Sequence, residues 1–351
     1  MPYSSDAPLL ATPTARLFPA VGCDSMAAAV PVPARSVVDA VDEHYPLIAI
    51  LGPTASGKSA LAVALAQGFA GEIVNYDSVQ LYRGFETGTG KLPSGERRGI
   101  PHHLLDLVDP GEVFTAGDYR NAALEVLQSM RERRKMPILV GGTGLYLRAL
   151  LLGLFEGPPR SERLRARLKA LGERRSGNYL HRLLRRLDPE AAARIHPRDR
   201  QKIVRALEVF LLTGRPMSAL LGRGRKALRG FRAFKVGLNP GRVQLHHRIN
   251  RRVEQMFAAG LMSETKEAIS TANSADIKVL GALGYRQASA ALRGEITEQE
   301  AVRQTQLATR RYAKRQMTWF RREPDVHWFT GFGDNPQVQS QVCEWLRQCG
   351  I

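Results

Sequence analysis

Between residues 52 and 59 the chain reads GPTASGKS, an arrangement suited to gripping a phosphate. Gly52 and Gly57 allow the backbone to curl so that N–H groups of the intervening Pro53-Thr54-Ala55-Ser56 turn and its flanks converge on one anion. Pro53 contributes no N–H itself. Lys58 adds a point charge, and the Ser59 hydroxyl is a hard oxygen that can ligate Mg²⁺. Such a loop works only between a strand and a helix. The apolar run Leu47–Leu51, entered from Pro46, suits a buried strand, and Leu61, Leu65 and Phe69 recur with helical spacing after Ser59. The loop therefore specifies a phosphate or diphosphate, while the compound carrying it stays open.

A second chemical group follows the next strand. Glu72 to Tyr76 reads as that strand, and Asp77-Ser78-Val79-Gln80-Leu81-Tyr82 then falls at its carboxyl end, where open α/β sheets place ligands. Asp77 suits a general base, with ordering of Mg²⁺ or helix capping as the alternative. Pro101 to Asp106, containing His102 and His103, reads as another strand or its edge. Thr115-x-x-Asp118 resembles a capping box opening a helix through Lys135. Pro137 to Val140 is a further strand running into the Gly141-Gly142-Thr143-Gly144 turn. Strands and helices alternating at this spacing predict a parallel, doubly wound sheet.

The 351 residues carry a formal charge of +18, from 51 Lys+Arg against 33 Asp+Glu, which favours a polyanionic partner. Of this excess, +14 lies within residues 160–230. Leu164, Leu168 and Leu171, then Leu180, Leu183, Leu184 and Leu187, keep helical spacing there, with arginines between. This predicts an inserted basic helical domain. Phe234 to Leu238 reads as a strand and Arg242 to Leu261 as a helix. On that helix Arg248 and Arg252 lie a turn apart, each suited to a leaving group or to a structural salt bridge. Thr297-x-x-Glu300 caps a helix to Arg322, with seven basic residues and no acidic one between Arg303 and Arg322. Val326 to Phe329 is read as a last strand.

Residues 1–44, rich in proline and small residues, are expected to be a disordered extension, with Met26 a candidate start. Cys23, Cys343 and Cys349 match no zinc spacing and make no disulfide framework, which fits a reducing, cytoplasmic setting. No run of 18 apolar residues predicts a membrane helix.

A GTPase would need an Asn-Lys-x-Asp word, and none occurs. The strand ending at Val140 leads into glycines rather than the aspartate usual in an ATPase. A small-molecule kinase with an arginine-rich lid survives as the runner-up, and an RNA-binding protein with a nucleotide switch is a third possibility.

The motifs GPTASGKS (52–59), DSVQLYRG (77–84), PHHLLD (101–106), FTAGDY (114–119) and GGTGLYL (141–147) together resemble one family, the tRNA dimethylallyltransferases or tRNA isopentenyltransferases. RALEVFLLTGRP (205–216), GYRQ (284–287) and KRQMTWFR (314–321) continue the resemblance in the same order. It implies an α/β fold, a P-loop NTPase-like parallel sheet with helices on both faces and an inserted helical domain. The expected division is a core of 45–156 and 231–330, an insert of 157–230 and a C-terminal tail of 331–351.

The resemblance also implies transfer of a dimethylallyl group from dimethylallyl diphosphate to N6 of the adenine 3′ to the anticodon. Mg²⁺ is the implied cofactor, bound at Ser59, and the expected partner is the anticodon stem-loop of tRNA, met by a monomer. Asp77 would be the base, Thr143 would touch the target nucleotide, and Lys58 and Arg248 would hold the diphosphate. Contacts to tRNA carry over to Asp77, Ser78, Val79 and Gln80, to Gln201, Lys202, Ile203, Val204 and Arg205, and to Arg165. They carry over also to Gly281, Ala282, Leu283, Gly284, Tyr285 and Arg286, and to Lys314, Arg315, Gln316, Met317, Thr318, Trp319, Phe320 and Arg321. Lys202 departs from the arginine usual in the family, losing a bidentate fork, and Arg198 replaces a common polar residue. The zinc finger of eukaryotic members is missing, so the bacterial type is expected.

If these basic segments neutralise RNA phosphates, affinity for tRNA should fall steeply with salt. Each contact contributes roughly −0.7 to −0.9 to the slope of log K against log salt. Arg315→Ala should reduce the slope by about one such unit and weaken all tRNAs alike. Filter binding across a salt series measures it, and an unchanged slope removes Arg315 from the phosphate contacts.

Overall fold

The structure, a computed structural model, describes residues 44–175, 177–221, 226–270 and 277–351. The expected extension therefore lies, apart from His44, outside the described residues, as does Met26.

Six strands form one sheet: β1 (Tyr45–Leu51), β2 (Gly71–Asn75), β3 (His102–His103), β4 (Met136–Val140), β5 (Phe231–Leu238) and β6 (Val326–Phe329). Their order is β3-β2-β4-β1-β5-β6, and every pair is parallel. The central strand shows why. Leu47, Ala49 and Leu51 join one apolar cluster, while Ile48 and Ile50 join another on the opposite face. A strand apolar on both faces must be covered on both, which parallel crossovers achieve with helices.

The helices are α1 (Lys58–Gly68), α2 (Ala116–Glu132), α3 (Gly144–Leu151), α4 (Glu162–Arg174), α5 (Tyr179–Leu187), α6 (Pro189–Arg194) and α7 (Arg200–Thr213). They continue with α8 (Met217–Leu221), α9 (Arg242–Ala258), α10 (Leu261–Ser270), α11 (Tyr285–Leu292), α12 (Glu298–Phe320) and α13 (Pro336–Gln348). Helices α2, α3, α9, α11 and α12 put Leu127, Leu147, Phe257, Tyr285 and Phe320 into the Leu47 cluster. Helices α1 and α13 put Leu65 and Val342 into the Ile48 cluster.

Several expected boundaries shift for identifiable reasons. The strand expected over Pro101–Asp106 shrinks to His102–His103, because Leu104 and Asp106 turn into the left-handed region at φ 60 and 51. The helix expected to reach Leu261 stops at Ala258; Gly260, at φ 100, breaks it before α10 begins. The tail expected over 331–351 is instead largely helix α13, with Val338, Val342 and Leu346 buried against the sheet. The Thr115 capping box forms in full, Thr115 Oγ1 accepting from Asp118 N–H while Asp118 Oδ2 accepts from Thr115 N–H. At α12 only half forms. Thr297 Oγ1 accepts from Glu300 N–H at 3.2 Å, but Arg303 takes the Glu300 carboxylate.

Helices α4 to α7 keep an apolar cluster of their own, built on Leu168, Leu180, Leu184, Ile203, Val204 and Leu207. The spaced leucines of the sequence supply it, with Leu164, Leu171, Leu183 and Leu187 packed at its margin. Glu208 is fully buried beside this cluster. Its carboxylate accepts from Arg165 Nε at 2.9 Å, from Arg205 Nη1 at 2.7 Å and from the Ser161 amide at 2.8 Å. Burial alone would raise its pKa, but these donors outweigh it and hold the carboxyl below the ordinary glutamate value.

Glu208→Gln keeps the shape and strands two guanidinium groups. Breaking a buried pair costs about 3–5 kcal/mol, and Arg205, with 27% of its side chain exposed, points to the lower end. Urea unfolding followed by circular dichroism should show a loss of about 3 kcal/mol at neutral pH. The folded pKa is depressed, so this contribution is present above the unfolded glutamate pKa and disappears as pH falls through the folded value. The difference between wild type and Glu208→Gln should shrink accordingly in acid.

Candidate active site

The phosphate loop joins the carboxyl end of β1 to the first turn of α1. Its geometry is left-handed at Gly52, Ala55 and Gly57, with φ of 150, 63 and 84. Glycine at 57 answers a second demand. A Cβ there would come within 2.8 Å of Gly333 N and 2.9 Å of Asp334 N, so the segment after β6 lies directly on the loop. Gly333 N–H also donates to the Ser56 carbonyl at 2.9 Å.

A cavity of about 1140 Å³ opens beside this loop. Lys58 and Asp77 line it, as do Arg252, Tyr312 and Gln316. Gln316 is buried and braces two turns at once. Its Oε1 accepts from the Thr54 amide at 2.8 Å, and its Nε2 donates to the Gly142 carbonyl at 3.0 Å. A Cβ at Gly142 would lie 2.6 Å from Gln316 Nε2 and 2.9 Å from Asp77 Oδ2, so any larger residue there would push on both side chains. That close approach brings the Asp77 carboxylate to the cavity wall. Its Oδ1 accepts from Val79 N–H at 3.0 Å, and its own N–H donates to Asn75 Oδ1 at 2.9 Å.

Thr143 Oγ1 accepts from the Ser78 amide at 3.0 Å and donates to Ser78 Oγ at 3.1 Å, so Thr143 and the 77–80 turn form one unit. Ser78 and Val79 also line a smaller cavity of about 240 Å³ together with Ala282, bringing the 77–80 turn beside the Gly281–Arg286 segment.

Charge is concentrated in the main cavity. Lys58 and Arg252 each keep an opening to it but are otherwise enclosed by protein. Burial, with repulsion from Arg252, lowers Lys58 to about 7, against the pull of Asp77. Lys58 Nζ donates to the Pro53 carbonyl at 2.7 Å. Burial likewise lowers Arg252, opposed by Asp77. Its Nη2 donates to Gly90 O at 3.3 Å. Tyr312 is raised by burial and by Asp77.

The two arginines of α9 part company. Arg252 faces the charged centre, whereas Arg248 makes a bidentate pair with Asp334 at 2.8 and 2.7 Å and lies 3.9 Å from the centre of the Phe332 ring. Arg248 and Asp334 nevertheless line the same cavity as Arg252, so this salt bridge stands at the cavity wall. His102 and His103 are not at the cavity: His102 Nδ1 bonds the Ile100 carbonyl, and His103 Nε2 bonds Glu72, which Arg133 holds down at about 2.

The other expected contacts fall into two groups. Gln201, Lys202, Arg286, Lys314, Arg315, Thr318, Trp319 and Arg321 are exposed. Ile203, Val204, Gly284, Tyr285 and Phe320 are buried, and Arg165 and Arg205 are held by Glu208. Sequence reasoning missed Asp334 and Phe332, which sit in a stretch with no motif. It also missed the bracing role of Gln316.

Mg²⁺ fits the residues present. The Ser59 hydroxyl lines the cavity and makes no hydrogen bond to another described residue, and the Asp77 carboxylate faces the same space. No cluster of three or more His, Cys, Asp or Glu ligands occurs among the described residues. Mg²⁺ does not need one, because it keeps waters and takes substrate phosphate oxygens.

Residues 80–323 match the family described as IPP transferase. The chain is 53% identical over 299 residues to a tRNA dimethylallyltransferase of Solibacter usitatus, covering 85% of this chain and 97% of the relative. It is 50% identical over 301 residues to one from Koribacter versatilis, covering 86% and 98%. The fold superposes on a tRNA isopentenylpyrophosphate transferase from Bacillus halodurans with a TM-score of 0.64 at 37% identity, covering 87% of this chain and 96% of that one. It superposes on a eukaryotic dimethylallyltransferase acting on tRNA with a TM-score of 0.71 at 27% identity, covering 87% and 77%.

With Lys58 near 7, the ammonium is charged below that pH and increasingly neutral above it, while a diphosphate favours the charged form. Pyrophosphate binding at pH 8 should therefore draw in a proton that Lys58→Gln does not, and the difference should fade at pH 6. Calorimetry in two buffers of different ionisation heat measures it. Equal uptake by both proteins would dissociate Lys58 from the phosphate.

Proposed function

Because the chain belongs to the IPP transferase family, we propose that it transfers a dimethylallyl group from dimethylallyl diphosphate to N6 of the adenine 3′ to the anticodon, position 37, of tRNAs reading codons that begin with U. The observation that carries this reading is the placement of a phosphate loop and the Asp77 carboxylate on one cavity.

The chemistry follows from that pairing. The N6 lone pair is delocalised into the adenine ring, so it attacks well only as its proton departs. The N6–C1 bond forms, the C1–O bond breaks, Asp77 takes the N6 proton and pyrophosphate leaves. The loop amides, Lys58 and Arg252 bind the leaving group, whose charge grows in the transition state. Mg²⁺, which the Ser59 hydroxyl would help to hold, would supply further charge neutralisation there when bound. Thr143, fixed to Ser78, holds the turn against which the adenine is seated after leaving its stack.

The exposed cations Lys202, on α7, and Lys314, Arg315 and Arg321, in and just after α12, take the anticodon stem-loop, Lys202 exchanging its 2.8 Å pairing with Asp199 for phosphate. A monomer in the cytoplasm suits this role; no helix among the described residues is long and apolar enough to cross a membrane. Of the arginines that a kinase lid would offer, Arg165 and Arg205 are committed to Glu208.

Incubation with labelled dimethylallyl diphosphate and unmodified tRNA tests the reading. Label should appear in RNA, and ATP turnover without RNA would favour the kinase instead. Asp77→Asn keeps the shape but accepts no proton. It should lower kcat by roughly 10²–10⁴ with little change in tRNA affinity. Near-normal transfer by Asp77→Asn would deny Asp77 the role of base.

A further inference from the structure

Opposite the phosphate loop, the cavity wall is the turn from Glu86 to Lys91, a stretch without regular secondary structure. Three consecutive backbone amides in it point at one side chain from a distant part of the chain. Glu264, on α10, accepts from Glu86 N–H at 3.0 Å and from Thr87 N–H at 2.9 Å through Oε2. Its Oε1 accepts from Gly88 N–H at 3.4 Å and from the Tyr285 hydroxyl. A run of amides converging this way is an anion-binding nest, here filled by a carboxylate of the same chain.

The surroundings fit that grip closely. Tyr285 is buried, its hydroxyl also accepts from Gly88 N–H at 3.1 Å, and a Cβ on Gly88 would fall 2.4 Å from its ring. Glu264 is therefore fixed from behind while it fixes the turn. Burial works to raise the Glu264 carboxyl, but the hydrogen bonds from Thr87 and its neighbours prevail and keep it ionised below the ordinary value.

The turn has a consequence at the centre of the cavity. Gly90, at φ 61, passes so close to Arg252 that a Cβ would lie 1.7 Å from Nη2, and the Gly90 carbonyl accepts from that nitrogen. Gln80 Nε2 donates to the Thr89 and Gly90 carbonyls, both at 3.2 Å, tying the same turn to the Asp77 segment.

We propose that Glu264 is a positioning residue for the diphosphate half of the reaction: it sets the Glu86–Lys91 turn, and through Gly90 the turn sets Arg252. As to substrate, this rests on the function proposed above. Glu264 lies on the far side of the turn from the cavity, touches no reacting atom and reaches the site only through backbone.

Inorganic pyrophosphate is the probe, because its binding is measurable whether or not prenyl transfer occurs. Glu264→Gln keeps the side chain's size but presents an amide N–H₂ to amide donors at one end and removes the charge. Its Kd for pyrophosphate should rise on the order of tenfold to a hundredfold, as for loss of hydrogen bonds to a charged group. The KM for dimethylallyl diphosphate should rise in parallel, while tRNA affinity stays within about twofold, since the exposed cations are untouched. Tyr285→Phe leaves the three amide contacts and should raise the Kd for pyrophosphate by less, about tenfold or less; because Tyr285 lies in the Gly281–Arg286 segment expected to meet tRNA, only its pyrophosphate affinity is read.

Wild-type pyrophosphate affinity in Glu264→Gln overturns the proposal, as does an equal loss of pyrophosphate and tRNA affinity, the mark of general unfolding. Should Glu264→Gln fail to fold, unchanged pyrophosphate binding by Tyr285→Phe overturns it. If wild-type protein transfers no prenyl group to tRNA but Glu264→Gln still loses pyrophosphate, the functional reading falls and the positioning role stands.

Discussion

One buried amide holds the two halves of the site at a fixed separation. Thr54 in the phosphate loop and Gly142 in the turn after β4 belong to different crossovers, and Gln316 accepts from one and donates to the other. A side chain with a donor and an acceptor a fixed distance apart can do this; a carboxylate or an ammonium would leave one partner unsatisfied inside the protein. Because β1 and β4 are neighbours in a parallel sheet, both turns emerge at the same edge. The Gln316 amide converts that neighbourhood into a defined distance between the phosphate site and Asp77. Transfer between two bound groups depends on such a distance.

Electrostatics divide labour along the same edge. Two of the cations that line the cavity, Lys58 and Arg252, are enclosed and repel each other, with Asp77 as the opposing charge. An anion entering the space relieves that repulsion, which favours occupancy by a diphosphate over an empty site. The arginines elsewhere are satisfied in advance. Glu208 occupies Arg165 and Arg205, Asp334 occupies Arg248, and Glu72 occupies Arg133. Net charge alone would have suggested a uniformly sticky surface. The pairing instead withdraws these arginines, while Lys314 and Arg315 on α12 stay exposed.

Local pattern made much of this legible. The central strands were readable because a residue apolar on both faces of a sheet leaves an uninterrupted run, as in Leu47–Leu51. The phosphate loop and the Asp77 turn were readable because their glycines answer to backbone geometry close by in sequence. Helix α13 carries a local signal as well, since Val338, Val342 and Leu346 recur at helical spacing. Other features had no local trace. Glu264 looks like any acid on a polar helix face, and only the tertiary approach of the Glu86–Gly88 amides gives it meaning. Arg165 and Arg205 resembled phosphate ligands for the same reason: nothing near them in sequence announces that Glu208 turns inward. The two arginines of α9 share a face, yet Asp334, 86 residues downstream of Arg248, separates their fates.

The seating of Gly333 and Asp334 on Gly57 bears on how the protein comes into being. Among the described residues the phosphate loop is one of the first parts to leave the ribosome, but its outer wall is contributed by residues that follow the last strand. Strand β1 waits for β4 and β5 to pair with it, and the loop waits longer still, until β6 and the start of α13 have emerged. Parallel pairing across such separations is slow to form and rewards the chain only late. An interrupted translation product would thus carry the whole basic surface for RNA without a finished pocket for the diphosphate. Its phosphate loop would lack the Gly333–Asp334 wall, so the motif alone does not complete the pocket.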